Sequence, residues 1–233
     1  DTVDIDAIPT IIRDVNTHQR LFIEEGKREI QFPVVECMRF HNEFLPLHEN
    51  GMSITAFCDG KIAHFQTYYS IGGGFIVTEE NFGKSQDADI DIPFPFYSAR
   101  NLLNHCHDNC LSISAVMMKN EIARHGRDNV EQNMAKIWET MQNAITRGMS
   151  TEGILPGPLK VPRRASALHR VLAPQSHSMS PLSALDWVNM FAMAVGEENA
   201  AGGRVVTAPT DGACGIIASV LASYVRFFTP VTP

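Results

Sequence analysis

No stretch of this 233-residue chain approaches the ~18 to 20 consecutive apolar residues that a membrane-spanning helix needs, so no such span is expected. Positive charge is scarce. Nineteen Lys and Arg stand against 26 Asp and Glu, a formal charge of −7. That balance disfavours non-specific binding to nucleic acid or to an anionic membrane surface, both of which attract basic proteins. Cysteine is sparse and odd in number: Cys37, Cys58, Cys106, Cys110 and Cys214 do not form the dense, even framework of a small secreted domain. The first 15 residues lack a basic segment followed by an apolar one, so no secretory signal is read there. A reducing cytoplasm is the expected compartment. There is no G-x-S-x-G nucleophile elbow and no H-E-x-x-H metal motif. None of the six lysines has a setting that singles it out as a Schiff-base former.

What is present is ordinary globular composition, 44% hydrophobic and 19% charged. The length suggests one large domain or two small ones, with a core that needs no disulfide or metal support. The chain starts at Asp1 and stops at residues 229–233 without an evident end, so it reads as part of a longer protein.

Local patterns predict an α+β chain. Ile8, Ile11, Ile12 and Val15 recur at helical spacing behind Pro9, which suits a first turn. Residues 28–36 read as extended. Residues 52–58 alternate as a strand, residues 62–69 are rich in aromatic and branched side chains, and Asp59-Gly60 between them is a hairpin signal. Residues 71–77 make a third extended run. Residues 87–97, with Pro93 and Pro95 among acids, mark a linker. Beyond it the pattern turns helical. Ser98 is placed to cap a first helix, and a second runs from Ser112 to a stop at Gly126. Asp128 and Glu131 form a capping box for a third, with Val130, Met134, Ile137, Trp138, Met141 and Ile145 on one stripe and Gly148 at its end. A short helix over 163–172 and a long apolar one from Pro181 to about Ala201 follow. Residues 204–207 then read as extended, 210–215 as a turn, and 216–228 as a buried helix.

Among candidate chemistry, Thr210, Asp211, Gly212 and Cys214 stand at the start of the last helix. Unpaired N–H groups and the positive end of the dipole favour an anion there. A cysteine so placed is poised to be a thiolate, the form that binds metal or attacks; the plainer reading is an inert cysteine packed behind a glycine-rich helix start. His105, Cys106, His107 and Cys110 are dense in potential ligands, yet no second pair at zinc-site spacing accompanies them. A zinc or thiol enzyme built on them is a minor alternative to two thiols on a half-buried helix. His41, His48 and Glu49 read as locally bonded loop residues. Gly72, Gly73 and Gly74 are not a phosphate loop and read as a bulge or close backbone approach. Arg163 and Arg164 could clamp a carboxylate or lie idle at a helix start. Met117, Met118 and Trp138 read as core.

Several longer strings carry a resemblance. Residues 45–52 (LPLHENGM), 68–75 (YYSIGGGF), 151–159 (TEGILPGPL), 161–165 (VPRRA) and 197–210 (EENAAGGRVVTAPT), with Gly212-Ala213-Cys214-Gly215, resemble the bacterial iron–sulfur L-serine dehydratases of single-chain type. The resemblance implies a C-terminal part of a β-type α/β domain over 1–86, a linker over 87–97, and over 98–233 the N-terminal part of an all-helical, cluster-binding catalytic domain. It further implies a lyase that deaminates L-serine to pyruvate and ammonia in amino-acid catabolism and gluconeogenesis, without pyridoxal phosphate. A [4Fe–4S] iron would serve as Lewis acid for the departing hydroxyl. Cys214 matches the family's first cluster cysteine, while Thr210, Asp211 and Gly212 would contact substrate; Asp211 stands where the family commonly carries Asn. The family's Ser-Ser-His-Thr-type loop, its Gly-Lys-Gly-His-type segment with the proton-abstracting base, and its later cluster cysteines have no counterpart here. The expectation is therefore an inactive portion of the enzyme, which could associate as a homo-oligomer. A non-catalytic subunit or amino-acid-binding module that completes a site on a partner chain is the alternative.

Overall fold

A computed structural model describes residues 3–23, 26–84, 91–175, 181–207 and 211–228. The chain is α+β. Helix α1 (Ile8–His18) leads into a two-stranded antiparallel ribbon of β1 (Arg20–Ile23) and β2 (Arg28–Gln31). A single helical turn, α2 (Val34–Cys37), follows Pro33. This corrects the extended reading of 28–36, which ends at Gln31. Gln19 explains the change of direction: its carbonyl accepts from Phe32 N and its side-chain Oε1 from Val34 N, which turns the chain over at Pro33.

A three-stranded antiparallel sheet then forms in the order β3 (Gly51–Cys58), β4 (Lys61–Ser70), β5 (Ile76–Thr78). The β3–β4 hairpin turns at Asp59 and Gly60, both with positive φ, as a two-residue loop matching strand twist requires. Only the last part of the third extended run is strand. Gly72, Gly73 and Gly74, with φ of 94, 62 and 80°, make the β4–β5 turn instead of a bulge, closed by Phe75 N donating to Gly72 O. Of this sheet only Thr67 and Tyr69 are buried. Tyr69 stands edge-on to Phe82 at 5.3 Å.

The helical part comprises α3 (Ala99–Asp108), α4 (Ile113–His125), α5 (Arg127–Ser150), α6 (Ala165–Leu172), α7 (Pro181–Ala200) and α8 (Asp211–Phe228). Ser98 and Ser112 cap α3 and α4 as their sequence predicts, their Oγ atoms accepting from Asn101 N and Ala115 N. The capping box of α5 does not form. Gly126 ends α4 and immediately begins α5, so Asp128 is already inside the first turn, and Glu131 pairs with Arg127 instead. Nor does Gly148 end α5. A Cβ built there would lie 2.3 Å from the carbonyl oxygen of Ala194, so glycine is what lets α5 and α7 cross closely. Helix α7 lies at the centre of the core, which gathers Met141 and Ile145 of α5, Leu172 of α6, Trp187, Met190, Phe191 and Val195 of α7, and Cys214 and Ala218 of α8. Residues 204–207 form no strand. The last helix is buried along one side only, which corrects the reading of it as a buried helix: it packs chiefly on α7, and Ile217, Val220, Leu221 and Tyr224 are exposed.

Candidate functional site

The helix end that precedes the α7–α8 connection carries two consecutive acids, and both are buried: Glu197 at 6% and Glu198 at 1% exposure. An ionised carboxylate survives such burial only when charges and donors compensate it. Here they do. Oε1 of Glu197 accepts the backbone N–H of Arg164 at 2.7 Å and lies 3.4 Å from that of Ala165, so it performs for α6 the service an N-cap residue would. Glu198 accepts from Arg163 Nη1 at 2.7 Å through Oε1 and from Arg147 Nε at 2.9 Å through Oε2. Arg147 reaches further, to Asp6 at 2.6 Å. The hydrogen bond to Asp6 above all, with the charges of Asp6 and Glu198, holds the Arg147 guanidinium above its usual pKa against the opposing effect of burial.

This chain of charges runs from the segment before α1, through the end of α5 and the loop before α6, to the end of α7. Its neighbours tie the α7–α8 connection into the same junction. Gly203 N donates to Glu198 O, Arg204 donates to the carbonyl of Val3, and Thr207 Oγ1 donates to the carbonyl of Gly73 at 3.0 Å. The polar contacts Asp6–Arg147, Val3–Arg204 and Gly73–Thr207 thus join the N-terminal sheet-and-helix part to the helical part, and two of the three lie on the segment that leads into α8.

The sequence-predicted site residues fall as follows. Helix α8 already begins at Asp211, so the stretch expected to turn is helical from there, and Cys214 is its fourth residue. Thr210 lies outside the described residues, as does the side chain of Asp211. Gly212 is exposed, whereas Cys214 is 1% exposed, in the core cluster with Met190, Phe191 and Val195. Arg163 cannot clamp a substrate carboxylate, because its guanidinium, 8% exposed, is engaged by Glu198. Arg164 contributes its backbone N–H and leaves its side chain exposed. His105 points Nε2 at the carbonyl of Pro95, 2.8 Å away, and His107 is open to solvent beside Asp108. Cys106 is half-buried and Cys110 exposed. Among the described residues no three of His, Cys, Asp and Glu are grouped to hold a metal ion, so the His105-to-Cys110 run assembles no site. His48 Nδ1 accepts from Asn50 N, a local loop bond as expected. Met117 and Met118 are not core, each being 38% exposed, whereas Trp138 is half-buried and packs against the core cluster at the edge of a cleft.

Glu197 and Glu198 are what sequence reasoning missed as structural elements. The available signal was two adjacent acids closing an otherwise apolar helix, a placement that solvation alone does not explain.

No helix among the described residues is long and apolar enough to cross a membrane. The family model for the serine dehydratase beta chain matches residues 1–81, and that for the serine dehydratase alpha chain matches residues 108–230. The chain is 57% identical over 99% of its length to L-serine dehydratase 2 of Escherichia coli strain K12, and 54% identical over 100% to L-serine dehydratase 1 of the same organism. It is 52% identical over 99% to L-serine dehydratase of Haemophilus influenzae. In each case the match covers 51% of the relative, so the chain spans about half the length of the curated relatives it matches.

Proposed function

Because the chain belongs to the serine dehydratase family, we propose that it is about half of an L-serine ammonia-lyase of the iron–sulfur type, acting in the cytoplasm and inactive by itself. The observation that carries this reading is the identity above 50%, end to end, with L-serine dehydratases twice as long. The two family matches support a division near residues 87–97 between a β-type part over 1–86 and an α-type part over 98–233. The overall reaction removes water across Cα–Cβ of L-serine: the Cα proton goes to a base, the β-hydroxyl leaves, and the aminoacrylate tautomerises and hydrolyses to pyruvate and ammonia. No base is assigned within this chain, and no pyridoxal phosphate is involved.

The described residues do not by themselves fit an iron–sulfur cluster, which needs several thiolates converging on one point. They offer one buried thiol, Cys214, set among apolar side chains. We assign Cys214 as a single cluster ligand to be joined by others from outside this chain. Thr210, Asp211 and Gly212, ahead of Cys214, are the proposed substrate contacts. What the chain's own residues do is hold that segment in place. Glu198 fixes the end of α7, and Arg204 and Thr207 pin the connection that leads into α8.

The test uses this chain alone and this chain substituted for the matching half of E. coli L-serine dehydratase 2, both treated anaerobically with iron and sulfide. Pyruvate release from L-serine is expected from the chimera and not from the 233-residue chain, and it should disappear in the chimera carrying Cys214→Ser. Pyruvate from the chain alone would refute the inactive-half reading. A folded chimera that makes none would refute the activity.

A further inference from the structure

Helices α5 and α8 diverge where they flank α7 and leave a cleft of about 340 Å³ between them. Met134, Ile137 and Trp138 line it on the α5 side, and Leu221, Tyr224 and Val225 on the α8 side. The cleft continues into an apolar stripe. Ile217, Val220, Leu221, Tyr224 and Phe228 recur at spacings of three and four along α8 and are 41, 54, 42, 58 and 72% exposed. On α5, Met134 and Ile137 are 55 and 40% exposed, although the same stripe buries Val130 before them and Met141 and Ile145 after them. A contiguous apolar surface of this kind is unusual on a solvent-facing wall and marks a contact.

Its chemistry narrows what fits. The α8 stripe carries no charge: Arg226, the basic residue of that helix's last turn, is drawn off it and lies 3.8 Å over the ring of Trp187. An anionic partner such as nucleic acid has nothing to hold there. Both walls are α-helices whose backbone groups are bonded internally, so no strand edge is offered for pairing. The complement of two diverging helices with apolar facing sides is a third helix whose apolar residues repeat at i, i+3, i+4 and i+7. The family supplies a source. Its curated members are about twice the length of this chain.

We infer that the α5–α8 cleft is the seat of an amphipathic helix from the part of a full-length serine dehydratase that this sequence does not span. The inference rests on reading the chain as half of a longer enzyme, as proposed above. A seated helix would bury Trp138 and Leu221 and would extend the core of Met141, Trp187 and Phe191 across α8. That core is the one holding Cys214.

The experiment compares the 233-residue chain with the chimera in E. coli L-serine dehydratase 2, each with and without Leu221→Ala. In the chimera Leu221→Ala should lower the melting temperature by about 5 °C or more, as truncating a buried leucine does. In the chain alone, where Leu221 is exposed, the shift should stay within about 1 °C. Acrylamide quenching gives an independent reading: the quenchable fluorescence that is lost on Trp138→Phe should be severalfold smaller in the chimera than in the chain alone, where Trp138 is half-buried. Equal Leu221→Ala shifts in the two proteins, or unchanged quenching, would overturn the seat. So would a chimera in which Leu221→Cys forms a disulfide between two copies, since a second molecule would then cover the cleft. Pyruvate production reports on the other reading separately. An active chimera with an open cleft refutes only the seat, and an inactive chimera with a covered cleft refutes only the activity.

Discussion

Replacing Glu198 by Gln preserves its shape and removes a charge that both Arg163 and Arg147 contact. The cost is set by how exposed each partner is. Arg163 is 8% exposed and its Nη1 stands 2.7 Å from Glu198, so the substitution leaves a cation buried against a neutral amide. Breaking a buried pair in this way costs about 3 to 5 kcal/mol. Gln can still accept one hydrogen bond, which places the estimate near the lower end, about 3 kcal/mol. Arg147 adds little. It is 43% exposed and keeps Asp6, and exposed pairs contribute about 0 to 1 kcal/mol. Urea unfolding followed by circular dichroism should therefore show a lower midpoint with an unchanged slope, and a melting temperature reduced by roughly 6 to 12 °C. Arg163→Gln alone should cost a similar amount, because it strands the buried carboxylate. The double variant should cost clearly less than the two singles added together, by about 1.5 kcal/mol or more. Additive losses, or a Glu198→Gln midpoint indistinguishable from the parent, would show that this junction does not carry the energy assigned to it.

Other outcomes follow from single contacts. Gly148→Ala forces a methyl group to within 2.3 Å of the Ala194 carbonyl, so α5 and α7 must separate; a loss of about 2 kcal/mol or more should appear in thermal melts. Gly215→Ala, 3.1 Å from the Ala192 carbonyl, should cost visibly less. Asp6→Asn removes an exposed partner of Arg147, so global stability should change by less than about 1 kcal/mol. Hydrogen exchange should nevertheless quicken in α1, and salt should mimic the substitution. Toward a thiol reagent, Cys37, Cys58 and Cys110 should react at once and Cys214 only on unfolding; a fast fourth equivalent assigned to Cys214 would contradict its burial.

Much of the fold was legible because its signals are local. Ser98 and Ser112 cap what they precede, Asp59-Gly60 turns the hairpin, and the long apolar run after Pro181 is the central helix. Failures occurred where a distant partner decided, or where one residue served two helices at once. Gly148 looks like a stop until Ala194 crosses it, and Asp128 looks like a cap until Gly126 proves to end one helix and start the next in the same residue. The exposed side of α8 could not be told from a buried one, since composition does not say which apolar faces have neighbours within this chain. At the candidate site, Cys214 could be singled out from its glycine-rich setting and the resemblance. The role of Arg163 could not, because Glu198 lies 35 residues further along. Its neighbour Arg164 looked equivalent in sequence and is not.

Glu197 and Glu198 are adjacent on one helix, so their side chains leave the axis about 100° apart. One faces the start of α6, and the other the two arginines. Inserting or deleting a single residue anywhere in the second half of α7 would turn both away from their partners at once, stranding two carboxylates and freeing a buried guanidinium. The stretch from Gly148's crossing point to Glu198 should therefore keep a fixed length through descent, admitting substitutions but no gaps.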